Sequence, residues 1–201
     1  PRAAAAATVL TQAAEAAADR PAGQGTYWHT SMVRTYPRGD QTGGNGRVDQ
    51  AWVRKDGAHW FRYGGGPIKR DPESHDFRVC DKGVDYETVA ALPAEPTELR
   101  AALARLMRNN DDGPVPSDAR QAFVTDCTVD LLSMLPASPA VRAAGFRSLI
   151  AQPGAQNLGP AVDGQGRCGT ELEFPAGDDT LRVILDPNTG LLLQSESGTR
   201  G

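Results

Sequence analysis

The feature that most constrains the fold is an antiparallel meander near the C-terminal end of the chain. Residues 181–185 and 191–195 are apolar runs rich in strand-forming side chains, and a five-residue segment joins them. In that segment Asp186 can accept hydrogen bonds from its own turn, and Gly190 supplies the left-handed conformation that a bulged hairpin needs. Residues 170–174 alternate between polar and apolar side chains and add a third strand. We expect one face of this meander to be buried.

Strand signals also occur near the N-terminal end. Residues 26–36 are enriched in aromatic and β-branched side chains, which indicates a strand. A second signal is the pair Asp56 and Gly57, which interrupts a run of strand-forming residues and predicts a hairpin with a type I′ turn. Trp52 and Trp60 lie in the two arms of that hairpin.

The middle of the chain has the apolar spacing of helices. Pro96 is placed for the first turn of a helix through residue 109, whose apolar stripe includes Leu99, Leu103 and Leu106. Two further amphipathic helices are predicted, the first beginning at Ser117 and the second at Pro139, with Ser138 as its N-cap.

The order of these segments predicts the fold class. Strands lie in 26–80, helices in 96–151 and strands again in 155–197. A doubly wound parallel sheet would need strand and helix to alternate throughout, so this order indicates an α+β domain. We predict a curved antiparallel β-sheet, half-barrel-like, with three or four helices packed on one face.

One domain is the expectation for a chain of 201 residues, because this length supports one good core. Residues 1–22 are predicted to be an Ala-rich N-terminal helix, a leader that either lies on the domain or leads up to it. Residues 23–201 are predicted to form a single α+β domain.

Charge and hydropathy exclude two classes of protein. The net charge is −4, the isoelectric point is about 5.4, and the longest basic cluster is residues 68–70. Nucleic acid is therefore not an expected partner. The chain has no apolar run of about 18 residues, so it contains no predicted membrane span. Its start at Pro1 is typical of a trimmed chain, and the trimmed part is a signal peptide, a membrane anchor or nothing of consequence.

The three histidines offer little support for catalysis. His29 follows Trp28 and His59 precedes Trp60, so each imidazole is expected to face outward beside an inward-facing indole. No Gly-x-Ser-x-Gly motif occurs to expose a nucleophilic serine. We predict no catalytic residue. The alternative is a hydrolase-type enzyme that uses His29 or His59 with a nearby acid or Cys.

Metal and cofactor sites are not predicted either. One acidic turn could bind a hard cation, but it lacks the regular ligand order of a calcium-binding loop, and a solvated turn is favoured. Its residues are Asp71, Glu73, His75 and Asp76. The glycine-rich residues 64–69 are similar to a phosphate cradle, yet their Lys is not followed by Ser or Thr.

The three cysteines leave two alternatives open. Cys127 lies on the apolar stripe of its helix, and Cys80 ends a short predicted strand. Cys168 alternates with Leu172 and Phe174 on a face expected to be buried. All three are predicted to be small buried hydrophobic residues, or two of them pair in a disulfide whose connectivity the spacing does not determine.

The aromatic residues of the first strands are the candidate ligand site. A sheet that curves around helices can leave a cleft between the two layers, and large side chains lining it would suit a lipid-like or other apolar ligand. The predicted lining residues are Trp28, Trp52, Trp60 and Leu106. The same side chains would also serve to fill a core.

Several short motifs resemble those of the CU044_5270 family of actinobacterial proteins. They are the Gly-Gln-Gly-Thr-Tyr-Trp sequence that ends at Trp28, the Leu-Pro-Ala-Glu-Pro sequence that ends at Pro96, and the Leu-Asp-Pro-Asn-Thr-Gly-Leu sequence that ends at Leu191. The resemblance covers nearly the whole chain. It implies an extracytoplasmic domain that follows a single membrane helix, in proteins often encoded beside extracytoplasmic-function sigma factors. It implies no catalytic residues.

The predicted architecture is also similar to the half-barrel domains of lipoprotein carriers and of an envelope-stress sensor. Together these likenesses imply a non-catalytic, extracytoplasmic binding or sensor domain, tethered to the cell membrane. The ligand would be apolar and lipid-like, or the partner a regulatory protein at the membrane. A third alternative is a regulatory or structural domain that acts through its surface alone.

Overall fold

The structure is a computed structural model that describes residues 2–21, 23–34, 47–72, 77–80, 82–106 and 117–199. Five helices and ten strands lie in these ranges, and their arrangement confirms the α+β class. The helices are α1 (Arg2–Asp19), α2 (Tyr86–Ala90), α3 (Pro96–Leu106), α4 (Ser117–Met134) and α5 (Pro139–Ile150). The strands are β1 (Tyr27–Arg34), β2 (Arg47–Arg54), β3 (His59–Tyr63), β4 (Lys69–Asp71), β5 (Phe77–Val79), β6 (Lys82–Val84), β7 (Gln156–Val162), β8 (Cys168–Ala176), β9 (Asp179–Asp186) and β10 (Leu191–Thr199).

The strands form three antiparallel sheets rather than the single curved sheet that the sequence predicts. We call β1-β2-β3-β4 the N-terminal sheet and β10-β9-β8-β7 the C-terminal sheet, while β5 and β6 form a two-stranded ribbon. Every pairing is a hairpin between consecutive strands. Two of the edge strands are poor templates for further pairing, because β4 has only three residues and β7 contains Pro160, which has no N–H to donate.

The core lies between the C-terminal sheet and the helices. The inward side chains of β8 and β9, among them Leu172, Phe174 and Leu185, are completely buried. They belong to the same apolar cluster as Phe146 of α5 and Leu131 of α4. The meander near the C-terminal end thus buries one face, as its alternation predicts.

Helix α1 is part of this core and not a separate leader. Leu10 is fully buried, and the helix packs along α5 and against β7. Its small side chains permit a close approach to the β9–β10 turn, where a Cβ on Gly190 would lie 2.7 Å from the carbonyl oxygen of Ala13. Of the two alternatives for residues 1–22, the helix that lies on the domain is the one observed.

Both predicted hairpin turns form, but one has a different geometry from the prediction. At residues 54–58 only Gly57 has a positive φ, of 84°, whereas a type I′ turn needs positive φ at both central positions. The amide of Gly57 donates to the carbonyl of Arg54, and the amide of Arg54 donates to that of Ala58. This is a type I turn followed by a glycine bulge, in which Asp56 keeps an ordinary backbone conformation.

The N-terminal sheet is attached to the helices at a few points. The indole N–H of Trp28 donates to the carbonyl of Met134 at the end of α4, at 2.8 Å. Farther along the chain, the β5–β6 ribbon buries Phe77 and Val79. A disulfide joins Cys80, directly after β5, to Cys127 of α4, with 4.9 Å between their Cα atoms.

The cysteine predictions are therefore resolved in part. Cys80 and Cys127 form the disulfide that the sequence left open. Cys168 is exposed and free, so its predicted burial is wrong. The reason is its position at the loop end of the β7–β8 hairpin, opposite Val162, which is itself 60% exposed. The helices cover the middle of this sheet and do not reach its corner.

Candidate functional site

The register of the N-terminal sheet sorts its side chains into two faces. Residues directly opposite each other on paired strands point to the same side of a sheet. Trp52 lies opposite both His29 and Trp60, and Arg62 lies opposite Gln50. We call the face that carries these five side chains, together with Tyr27, Arg54 and Arg70, the outer face. Trp28, Val53, His59 and Phe61 lie on the opposite, inner face.

Aromatic rings form a layer of two contacting pairs on the outer face. The imidazole of His29 is stacked on Trp52, with 4.9 Å between ring centroids and 17° between planes. The ring of Tyr27 meets that of Trp60 edge to face, at 5.5 Å and 82°. These contacts fix the orientation of both indoles, because each indole has a cross-strand neighbour on the same face.

Two guanidinium groups lie over this aromatic layer. The Cζ atom of Arg54 is 5.7 Å from the ring centroid of Trp60, and that of Arg62 is 5.9 Å from the ring centroid of Trp52. Both distances fall within the range of cation–π contacts. The two indoles are cross-strand neighbours, and each has a guanidinium group over its ring.

Each of these arginines has a second partner that holds it in place. Arg62 donates to the side-chain carbonyl of Gln50. Arg54 donates to both carboxylate oxygens of Asp56, from Nε at 2.7 Å. This pair raises the pKa of Arg54 and, with the amide of Ala58, lowers the pKa of Asp56 to about 2. Both groups therefore stay charged throughout the physiological pH range.

The outer face is open to solvent. Tyr27 is 46% exposed and Val48 is 42% exposed, and His29 is exposed as well. Chemically, this surface offers aromatic faces for stacking and guanidinium N–H groups for anions. Among the described residues of this surface, Ser31 is the one serine or cysteine. Its cross-strand partner is Gln50 and not an imidazole. The arrangement is suited to binding.

The inner face lies toward the core. Its residues show that the prediction for His59 is wrong. His59 was expected to point outward and Trp60 inward, but Trp60 lies on the outer face and the Nε2 atom of His59 is buried. Burial lowers the pKa of His59, although Asp71, opposite it on β4, acts in the other direction. His29 faces outward as predicted. The difference arises because the bulge at Gly57 determines which residues of β3 face the core.

The four predicted ligand residues do not come together. Trp28 and Leu106 are partly buried against the core. Trp52 and Trp60 lie on the outer face of the N-terminal sheet, on the opposite side from Trp28. A single cleft lined by all four is therefore not formed.

An open pocket of about 550 Å³ lies elsewhere, between α3 and α4. Its lining residues are Arg100, Ala101, Ala104, Ser117, Arg120, Gln121 and Val124. Arg100 also donates to the carbonyl of Ser148, which gives it a structural role. None of the predicted ligand residues lines this pocket.

Two predictions concern metals and membrane spans. Of the acidic turn considered for a cation, only Asp71 lies within the described residues, and Glu73, His75 and Asp76 lie outside them. Within the described ranges, no group of three or more His, Cys, Asp or Glu side chains is arranged to hold a metal ion. None of the helices in those ranges is long and apolar enough to cross a membrane.

Sequence reasoning missed the arginines of the outer face. A signal was present, since Arg54 and Arg62 are each two residues from a tryptophan in a predicted hairpin, and alternate residues of a strand share a face. The exact pairing of β2 with β3 was not deduced, because it depends on the turn geometry.

The chain was compared with protein-family models, with curated proteins and with solved structures, and none of the three comparisons gives a match.

Proposed function

We propose that this chain is a non-catalytic binding domain whose recognition surface is the outer face of the N-terminal sheet, and that its ligand is anionic. The observation that carries the proposal is the layer of two partly exposed indoles, each with a guanidinium group over its ring. The planar guanidinium group presents several N–H donors in an arrangement that matches carboxylate, phosphate and sulfate groups.

An extracytoplasmic location is part of the proposal. The disulfide between Cys80 and Cys127 supports it, because structural disulfides persist in oxidising compartments and are rare in the cytosol. The resemblance to the CU044_5270 family supports the same location and a membrane tether. A sensor role would follow if ligand binding at the outer face were transmitted to the tether.

The alternatives receive less support from the described residues. An internal carrier for an apolar ligand needs a cavity between sheet and helices, but the large side chains there are fully buried in a continuous cluster. A hydrolase needs an imidazole beside a nucleophile in a cleft. His29 is stacked on Trp52, and His59 has Val53 and Asp71 as its cross-strand neighbours.

A titration with dextran sulfate, a soluble polyanion, tests the proposal. All three tryptophans lie in the N-terminal sheet, so intrinsic fluorescence reports on this surface. We expect saturable binding at low ionic strength that weakens with added salt. The double variant Arg54→Gln/Arg62→Gln should bind at least tenfold more weakly, on the basis of about 1 kcal/mol for each cation contact.

The matched control is Arg120→Gln/Arg147→Gln, which removes two exposed cations from the helices. It should bind as the unmodified chain does. Equal loss in both double variants would mean that net charge alone governs binding, and the outer face would not be a recognition surface.

A further inference from the structure

We propose that the N-terminal sheet docks end-on against an anionic lipid bilayer. This inference rests on the proposed function and names the source of the anionic groups. The contacting end is the one where β2 begins, β3 ends and β4 begins, and we call it the apolar end, defined by Val48, Tyr63 and Ile68. The phosphate groups of acidic phospholipids are the anions bound there.

The first observation is the exposure of three large apolar side chains at that one end. Val48 is 42% exposed, and Tyr63 and Ile68 are each 55% exposed. Hydrogen bonds hold the segment compact, since the amide of Gly64 donates to the carbonyl of Val48 and that of Gly66 to the carbonyl of Tyr63. Exposed tyrosine and aliphatic side chains on a narrow end suit the boundary between headgroups and acyl chains.

The second observation is the set of cations around these side chains. Lys69 and Arg70 directly follow Ile68 and are exposed, and Arg62 directly precedes Tyr63. The one acidic side chain described at this end is Asp49, opposite Tyr63, and it is partly buried. Lys and Arg near a bilayer surface gain attraction from acidic lipids while the apolar side chains enter it.

The third observation is the uneven distribution of charge along an acidic chain. Residues 27–71 contain eight Lys or Arg and four Asp, a net charge of +4. Residues 156–199 contain two Arg and seven Asp or Glu, a net charge of −5. An anionic bilayer would attract the N-terminal sheet and repel the C-terminal one, so the same field orients the domain.

A second copy of this chain is the competing occupant. The C-terminal sheet presents Glu171, Glu173 and Glu196 around Arg182 on its outward face, and this surface could accept the arginines of another copy. Such stacking on the outer face would leave Tyr63 uncovered, because its register places it on the opposite face, beside Phe61. A bilayer accounts for the apolar end and the cations together.

Vesicle sedimentation tests the inference directly. The probes are large unilamellar vesicles of phosphatidylcholine alone and of phosphatidylcholine mixed with phosphatidylglycerol. We expect binding to the mixed vesicles only.

Two variants separate the two contributions. Lys69→Gln/Arg70→Gln should lower the partition coefficient about 25-fold, since each cation near an anionic surface contributes about a fivefold factor. Tyr63→Ser/Ile68→Ser should also lower the partition coefficient, because it removes apolar side chains that enter the bilayer. The matched apolar control is Leu158→Ser/Val162→Ser, which removes two exposed apolar side chains from the C-terminal sheet and should leave the partition coefficient unchanged. Circular dichroism checks that each variant is folded.

The inference is overturned if mixed vesicles are not bound at low salt, or if the Leu158→Ser/Val162→Ser control loses as much binding as Tyr63→Ser/Ile68→Ser. Salt-sensitive self-association in sedimentation equilibrium, abolished by Lys69→Gln/Arg70→Gln, would identify a second copy as the occupant instead. Dextran sulfate binding without vesicle binding would overturn the bilayer inference and leave the proposed function intact. Absence of both dextran sulfate binding and vesicle binding would overturn the proposed function and the bilayer inference together.

Discussion

The two four-stranded sheets of this protein have the same hairpin connectivity and opposite surroundings. The C-terminal sheet buries the middle of its inner face, with Leu172, Phe174 and Leu185 at zero exposure, and turns glutamates outward. The N-terminal sheet has no completely buried large side chain among its described strands, and it carries all three tryptophans. Helices α1, α4 and α5 cover the C-terminal sheet, whereas few contacts attach the N-terminal sheet to the helices.

This difference separates stability from recognition. A fully buried aliphatic or aromatic side chain contributes about 1.5–3 kcal/mol to folding, so the C-terminal sheet and its helices supply most of the folding free energy. The N-terminal sheet leaves its aromatic and cationic groups at the surface, where they are available to a ligand. Matched substitutions in the two sheets should therefore differ in their effect on the free energy of unfolding.

The largest effect is expected from a matched pair of phenylalanine truncations. Phe174→Ala in the C-terminal sheet should lower the free energy of unfolding by about 3–5 kcal/mol, because the side chain is fully buried. Phe61→Ala in the N-terminal sheet should lower the free energy of unfolding by no more than about 2 kcal/mol, because that ring is partly exposed and contacts the ring of Tyr63. Urea denaturation followed by far-ultraviolet circular dichroism measures both. Equal losses would contradict the division.

The disulfide should have the next largest effect, because it ties the chain that follows the N-terminal sheet to α4. Cys80→Ser/Cys127→Ser should lower the free energy of unfolding by about 2–4 kcal/mol, given a separation of 47 residues along the chain. Cys168→Ser is the matched control, and it should leave the thermal midpoint unchanged because that thiol is exposed and free. A double variant as stable as the control would show that packing alone holds this region.

The smallest effect concerns two aspartates in similar glycine-bulge turns, one in each sheet. Burial alone would raise the pKa of Asp163, but hydrogen bonds from the amide and side chain of Arg167 and from the amide of Gln165 lower it. Asp163→Ala should therefore cost about 1–3 kcal/mol at neutral pH. Asp56→Ala should change stability little, because its carboxylate is exposed and its ion pair is screened by salt.

The pH dependence of the free energy of unfolding gives a second measure of the contribution of Asp163. A carboxyl with a lowered pKa in the folded state stabilises the fold above its unfolded pKa of about 4, and this contribution is lost as the pH falls through the folded pKa. Unfolding free energy measured between pH 7 and pH 3 should fall less steeply in Asp163→Ala than in the unmodified chain. An unchanged slope would mean that Asp163 does not titrate differently on folding.

Local patterns predicted the elements well where a single rule applied. The alternation of residues 170–174, the turn at Gly190 and the helix cap at Ser138 are each decided by nearby residues, and each is observed. The side chain of Ser138 accepts from the amide of Val141, as an N-cap residue should. The helix α2, whose cap is Asp85, was not predicted because five residues carry little periodic signal.

The candidate site was predicted only in its composition. Trp52 and Trp60 are among the predicted ligand residues, but Trp60 was expected to face inward and lies on the outer face, because a single bulge at Gly57 sets which side of β3 meets the core. The division of the strands into separate sheets was also not predicted. Hydrogen bonding between distant strands depends on their edges, and no short-range pattern encodes it.

The sequence by itself determined the α+β class, the hairpins, the helices and the excess of positive charge in residues 27–71, because these follow from local periodicity, turn residues and composition. The tertiary structure alone decided that the helices cover the C-terminal sheet, that Cys80 meets Cys127, and that arginine lies over tryptophan on an open face. The physical reason is that long-range packing selects among faces and partners that are equivalent to local rules. A register change of one residue would have placed the same indoles in the core.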